Sequence, residues 1–377
     1  MSKNSKLIVL CSTIICLSLP VSGQDYLSLF KVNDRLQASD SNKLFLFMRN
    51  TDFFKNNEYF NPIYEGYTLP GFNIETGLTY YPTSKARISG GLHLLKYSGK
   101  KSFNLVVPVI SAQLEVAPNL DFVIGTLYGA ANHDMAEPMY SMERVLSSPV
   151  ENGLQFLYHG THIHADVWLN WERFIEPRDT FQEMLSQGIS SEFFILPSSG
   201  KFVLSVPLQT MAVHHGGQIN NTESHMQTLL NALTGLRLSF HPETGPVRKW
   251  SFETLYMVFY DHSPDKILPF RNGFGIYPSL SAAGRYFFLS AGYWYASDLI
   301  APEGEPLMQS ISFMNHAYTE PVRQQLIGKL CIENYAGKPV RWGVRFEPYY
   351  DLKHKYLDYS YSVFVIFNHD FFLKKTE

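Results

Sequence analysis

The residue types most able to do chemistry are histidine, serine and the carboxylates, and the chain holds 13 His and 34 Asp plus Glu. His133, His214, His215, His225, His262, His316 and His354 have Asp134, Glu223, Asp261 and Glu320 close by in the chain. Imidazole nitrogens and carboxylate oxygens together bind divalent metals. These spacings match no metal motif, so no metal is expected. His159, Ser205 and Asp166 supply the types needed for a nucleophilic triad. No Gly-x-Ser-x-Gly elbow is present to present such a serine, and there is no Gly-rich phosphate loop or Cys-based zinc pattern. Coincidental triads are expected in a chain with this many Ser and Asp. The expectation is therefore a protein that is not an enzyme and needs no cofactor.

A second set of charged residues sits at alternate positions. From His162 to Phe174, His162, His164, Asp166, Trp168, Asn170 and Glu172 alternate with Ile163, Ala165, Val167, Leu169 and Trp171. Side chains in a strand point alternately to opposite faces, so one face is largely polar and the other apolar. Lys338–Tyr349 and Arg323–Glu333 repeat the pattern. Collected over all such segments, the polar faces hold Glu75, Glu115, Asp166, Glu172, Arg237, Glu253, Arg323, Lys329, Glu333, Arg341, Arg345 and Glu347. If the strands curl into a barrel, these residues line its lumen, where charge rings set ion selectivity. Arg323, Lys329, Arg341 and Arg345 fall on neighbouring strands as a local basic wall. The plainer alternative is that all of them only solvate the lumen or pair with nearby acids.

The composition agrees with a membrane barrel. The 377 residues are 45% hydrophobic and 15% aromatic but only 17% charged, against about 25% charged in average proteins. That excludes a disordered chain, and the formal charge of −3 gives no reason to expect nucleic acid. After the first two dozen residues no apolar run reaches the ~18 to 20 needed for a spanning helix. Lys3 and Lys6, the apolar run Leu7–Leu19 and the small residues Val21-Ser22-Gly23 read as a cleaved secretory signal, residues 1–23. Cleavage there leaves Cys331 as the one cysteine of the mature chain.

Sixteen strands are expected, near 43–53, 71–81, 86–97, 103–116, 120–129, 151–159, 162–174, 181–196, 201–213, 228–240, 249–260, 272–283, 286–297, 322–334, 339–350 and 357–371, with fourteen or eighteen as neighbouring solutions. Their connections alternate in length. Lys55–Pro70, Ala130–Val150, His214–Gln227, Asp261–Arg271 and Asp298–Pro321 are long, whereas Pro118-Asn119, Gly160-Thr161 and Gly284-Arg285 are turns. A sandwich has no reason to sort its loops this way, but an outer-membrane barrel has long outer loops and short periplasmic turns. Tyr80, Tyr81, Tyr97, Tyr128, Trp250, Tyr349 and Tyr350, near strand ends, suit its aromatic girdles.

With its signal, alternating strands and aromatic C-terminal strand Tyr359-Ser360-Tyr361-Ser362-Val363-Phe364-Val365-Ile366-Phe367, the chain resembles the porin-like outer-membrane barrels of Gram-negative bacteria, especially the Bacteroidota type. It departs from many of them in that Phe371-Phe372 is followed by five further residues. The resemblance implies a barrel over residues 43–377, outer-membrane lipid and the assembly machinery as partners, an oligomer as one option, and passive diffusion of small hydrophilic solutes. A barrel whose outer loops bind a ligand without conduction is the alternative. It also implies that loop 130–150, with His133, Asp134, Glu137, Glu143 and Arg144, could fold inward as a constriction, with Met135, Met139, Tyr140 and Met142 to bury. The other long loop, 298–321, has a Glu303-Gly304-Glu305-Pro306 tip that reads as solvent-exposed. The leader, residues 24–42, is expected in the periplasm or, less plainly, inside the lumen.

Overall fold

The structure, a computed structural model, describes residues 27–376 except 218, 316 and 338. The signal segment 1–23 and His316 therefore lie outside the described residues. The strands run in chain order as β1 (Lys43–Glu58), β2 (Thr68–Thr83), β3 (Ala86–Tyr97), β4 (Leu105–Ala117), β5 (Leu120–Thr126), β6 (Asn152–His159), β7 (Ile163–Arg173), β8 (Glu183–Phe194), β9 (Phe202–Gly216), β10 (Gln227–Phe240), β11 (Val247–Asp261), β12 (Asn272–Gly284), β13 (Phe287–Ser297), β14 (Val322–Tyr335), β15 (Val340–Asp351) and β16 (Leu357–Lys375). Each pairs antiparallel with its neighbours. β1 pairs with both β2 and β16, from Lys43↔Lys375 to Glu58↔Tyr359, which closes the barrel. Closure gives every strand a hydrogen-bonded neighbour on both sides, as a bilayer requires of a spanning sheet.

The period-2 pattern sorts the side chains. Leu236, Leu238, Phe252, Tyr256, Leu280, Leu289, Val363 and Val365 are among the exposed apolar residues that face outward. Trp250 and Tyr350 also face outward, at 41% and 36% exposure, but Tyr81 and Tyr349 are buried and point inward. Adjacent residues alternate, so a Tyr-Tyr pair cannot place both rings in one girdle. Two connections show how short turns are made: Asn119 adopts φ 63° between β4 and β5, and Gly337 adopts φ 111° between β14 and β15. Both values lie in the left-handed region that Gly and Asn tolerate best.

Sixteen strands enclose a lumen too wide for wall side chains to fill. Here the chain fills its long-loop half with its own loops. Met139, Leu299, Ile300, Leu307 and Met308 from the connections 127–151 and 298–321 pack on Trp168, Met211, Leu233, Met257 and Trp294 of the inner wall. A smaller cluster joins Leu29 of the leader to Phe53, Leu95, Met142, Leu146, Phe364 and Ile366.

Candidate functional site

The two long loops meet inside the barrel. Ser141 N donates to the Glu303 carbonyl at 2.7 Å, Glu305 N to the Glu137 carbonyl at 3.0 Å, and Ser141 Oγ to Glu305 Oε2 at 3.0 Å. The Glu303-Gly304-Glu305 tip is thus buried against the first loop, not solvent-exposed as its composition suggested. Arg144 pairs with Glu303 of the tip and also reaches Glu172 of β7 at 3.4 Å. Even so, burial outweighs Arg144 and pushes the Glu303 carboxyl up to about 7. A third connection, between β1 and β2, joins them: Phe313 N donates to the Ile63 carbonyl at 2.8 Å and Ser312 Oγ to that of Pro62 at 2.7 Å.

His133 anchors the first loop. One ring nitrogen lies 2.7 Å from Asp166 Oδ2 and the other 2.9 Å from Glu151 Oε2. Its ring stacks on Trp168 with centroids 3.7 Å apart and planes 7° from parallel. Burial alone would push the imidazole down, but the two carboxylates outweigh it and hold it at about 10. His133 is thus an imidazolium with both N–H groups donated, and no nitrogen remains to accept a proton. It ties the loop down and cannot serve as a base in this state.

Most of the charged residues read from the sequence are engaged by these inserted segments. Lys329 pairs with Glu137, Lys55 with Glu143, and Asp134 with Lys31 of the leader. Arg323 lies 3.1 Å from Asp351 and donates to the Leu307 carbonyl. Arg341 donates to the carbonyls of Ser28 and Leu29, Arg345 stands 5.0 Å from the centroid of the Phe30 ring, and Ser28 Oγ donates to Glu333. Glu347 accepts from Ser360, and Arg237 bridges Glu192 and Glu253 at 2.8 Å each. The leader runs inside the lumen over residues 27–34. The Asn132 side chain exchanges two hydrogen bonds with the Val32 backbone, and Arg87 and Gln113 donate to the carbonyls of Asn33 and Asp34.

Three cavities stand out among the described residues. One, about 530 Å³, lies towards the short-turn end and holds Arg35, His164, Glu192, Arg237 and Glu253 in its wall. Another, about 340 Å³, lies beside Gln37, Asp40, Phe45 and Arg87. The smallest of the three, about 200 Å³, lies between the leader and β1–β4. Into it face three residues in one row across three strands, in the register Arg49↔Glu75↔His93. Arg49 reaches Glu75 Oε1 at 3.0 Å, and His93 Nδ1 lies 3.2 Å from Glu75 Oε2. His93 is 3% exposed and its Nε2 has no hydrogen-bond partner among the described residues. A carboxylate on Nδ1 fixes the ring and the tautomer, which leaves Nε2 able to accept a proton. Glu75 was assigned to the lumen from the sequence, but Arg49 and His93 were missed. No motif marks them, and their only signal is inward parity on consecutive strands. His159, Ser205 and Asp166 do not form a site: Asp166 is held by His133 and Gln155, and Ser205 donates to Glu192. Among the described residues no group of three or more metal-ligating side chains converges.

A closed sixteen-stranded antiparallel barrel with an apolar outside defines an outer-membrane protein. Solved structures agree in fold: OprD from Pseudomonas aeruginosa superposes with a TM-score of 0.53 at 7% identity over 90% of this chain and 97% of that one. OpdK from the same organism gives 0.52 at 8% identity over 88% and 100%. None of the curated protein sequences matches the chain. Residues 36–376 match the family described as lipid A 3'-O-deacylase-type, and the chain belongs to that family. This overturns the expectation that the protein is not an enzyme, because a deacylase family is an enzyme family. The expectation rested on the lack of a contiguous nucleophile motif and on setting aside dispersed His, Ser and Asp as coincidence, whereas a barrel wall builds sites from residues on different strands.

Proposed function

We propose that the protein is an outer-membrane acyl-ester hydrolase acting on a lipid A-type glycolipid. The observation that carries the reading is the Glu75–His93 pair, with His93 Nε2 unpartnered among the described residues, in the wall of a cavity inside a barrel of this family. Nε2 takes a proton from water as the resulting hydroxide attacks the ester carbonyl. The imidazolium then gives that proton to the departing sugar oxygen, yielding a fatty acid and a free hydroxyl. Glu75 keeps Nδ1–H in place and offsets the transient charge, and Arg49 orients Glu75. General acid–base catalysis of this kind contributes roughly 10²- to 10⁴-fold. Lipid A incubated with the purified protein in mixed micelles should lose the mass of one acyl chain, and His93→Gln should slow that loss by roughly that factor. An unchanged lipid A mass with the wild-type protein would refute the reading.

Passive conduction of small solutes is the second reading, favoured by the charged inner wall and the 530 Å³ chamber. The loops that fill the other half of the lumen would then have to move. Current steps in a planar bilayer would support it, and Arg341→Glu with Arg345→Glu should shift selectivity towards cations.

A further inference from the structure

The barrel wall is not equally tall all round. β5 and β6 are its shortest strands, at 7 and 8 residues. The last β4–β5 pair towards the long-loop end is Ser111↔Gly125, yet β4 continues to Leu105 with only β3 beside it. On the other side the last β6–β7 pair is Gly153↔Asn170, while Trp171 and Arg173 continue against β8 alone. The chain that would raise the wall here, residues 127–151, turns into the lumen instead. Gly125 makes the turn at φ 96°, with the Ile110 carbonyl 2.1 Å from where a Cβ would lie.

Side chains replace the missing rungs along the floor of this notch. Ile110 N donates to Thr126 Oγ1 at 3.1 Å, Thr126 Oγ1 to Asn152 Oδ1 at 3.0 Å, and Asn152 N to Asn170 Oδ1 at 2.9 Å. The rim is apolar and open: Val106, Ile110 and Phe174 are 56%, 65% and 68% exposed. Behind the floor, the cavity that holds Glu75 and His93 is lined by Ser111, Thr126, Leu127, Val145 and Pro149. An open sheet edge is not tolerated against hydrocarbon unless something covers it. An apolar rim, a floor of hydrogen-bonding groups and a chamber behind them fit a lipid with a polar head and a flexible chain.

We infer that the notch between β4 and β7 is a lateral portal through which an acyl chain of an outer-leaflet lipid enters the chamber. As a route for substrate this rests on the hydrolase reading, but chain entry is measurable without any hydrolysis. The full chain is reconstituted in phospholipid vesicles containing lipid A and a phospholipid with a diazirine at the tip of one acyl chain, then irradiated and mapped by mass spectrometry. Adducts are expected on Leu127 and Val145 inside the wall as well as on lipid-facing Leu114 and Ile124. Ile110→Trp, which overhangs the notch from a lipid-facing position where Trp is well accommodated, should reduce the inner adducts at least about tenfold at unchanged outer labelling. Labelling confined to the lipid-facing residues, or inner labelling that ignores Ile110→Trp in a protein that still migrates as a folded barrel, overturns the portal. Inner adducts with no acyl release from lipid A would leave the portal standing and sink the hydrolase reading alone.

Discussion

Replacing His133 by Ala should free the first lumenal loop without unfolding the barrel. The change removes the cation between Glu151 and Asp166 and leaves two acids facing each other in a buried site, with Trp168 deprived of its stacking partner. The imidazole is held at about 10 against an ordinary 6.5. At 1.36 kcal/mol per unit, that difference corresponds to roughly 5 kcal/mol favouring the docked loop. Removing one partner of a buried ion pair typically costs about 3–5 kcal/mol, which agrees. Taking about 4 kcal/mol, the opening equilibrium of the loop rises roughly 10³-fold. In reconstituted protein the assay is tryptic cleavage after Arg144, identified by mass, whose rate follows the open population when reclosing is fast. The pH dependence has a definite sign, because the docked-state pKa lies above the free one. The contribution is complete below about 6.5 and is lost as pH rises through about 10, so wild-type cleavage should accelerate across that window. Neutralising both acids as well, with Glu151→Gln and Asp166→Asn, should recover most of the protection because no buried charge is then left unpaired. A His133→Ala protein cleaved within threefold of the wild-type rate would refute the ion-triad argument.

Two further changes test the neighbouring contacts. Leu29→Ala empties the place of a fully buried side chain packed on Phe364 and Leu146, so the leader should lose about 2–5 kcal/mol of docking. Cleavage at Lys31 and Arg35 should accelerate accordingly while the barrel keeps its folded migration. Gly304→Ala would place a Cβ 2.1 Å from the Pro138 carbonyl. That clash should part the two loops at a cost of about 1–3 kcal/mol, read as faster amide exchange at Ser141, whose N–H donates to Glu303.

Alternation made the wall legible because a strand must turn one face to lipid and the other inward. Asp166, Glu172, Arg323 and Arg345 could therefore be placed on the inner face from parity alone. Parity does not say what those residues meet there. Arg341 binds leader carbonyls, Lys329 binds Glu137 from a loop almost two hundred positions earlier, and His133 is held by strand and loop acids together. Contacts of that separation follow from how the loops fold back, which no local pattern encodes. The Glu303–Glu305 tip shows the same limit, since two acids around a glycine look solvated until Arg144 and Ser141 are brought beside them. Arg49, Glu75 and His93 each sit alone on a strand. Their row emerges only once the β1–β2 and β2–β3 registers are known.

One sign of the filled lumen was nevertheless written in the strands. A water-filled barrel needs polar inward positions along its whole height. On β9, β10, β11 and β13 the inward positions towards the long-loop end are mostly apolar: Met211 and Val213, Leu229 and Leu233 on either side of Asn231, Leu255, Met257 and Phe259, and Trp294 and Ala296, and these apolar residues are all buried in one cluster. Nearer the short turns the same strands turn Ser205, Ser239, Ser251 and Ser290 inward. Leaving so many large apolar side chains in lumenal water would forgo about 25 cal/mol for each Å² they bury, so that part of the wall calls for an apolar filling. Met139, Leu299, Leu307 and Met308 supply it. The same distribution sets where chemistry is possible: the inserted loops meet the apolar part of β9–β13, while the cavity beside β1–β4 keeps Arg49, Glu75 and His93 around an open space.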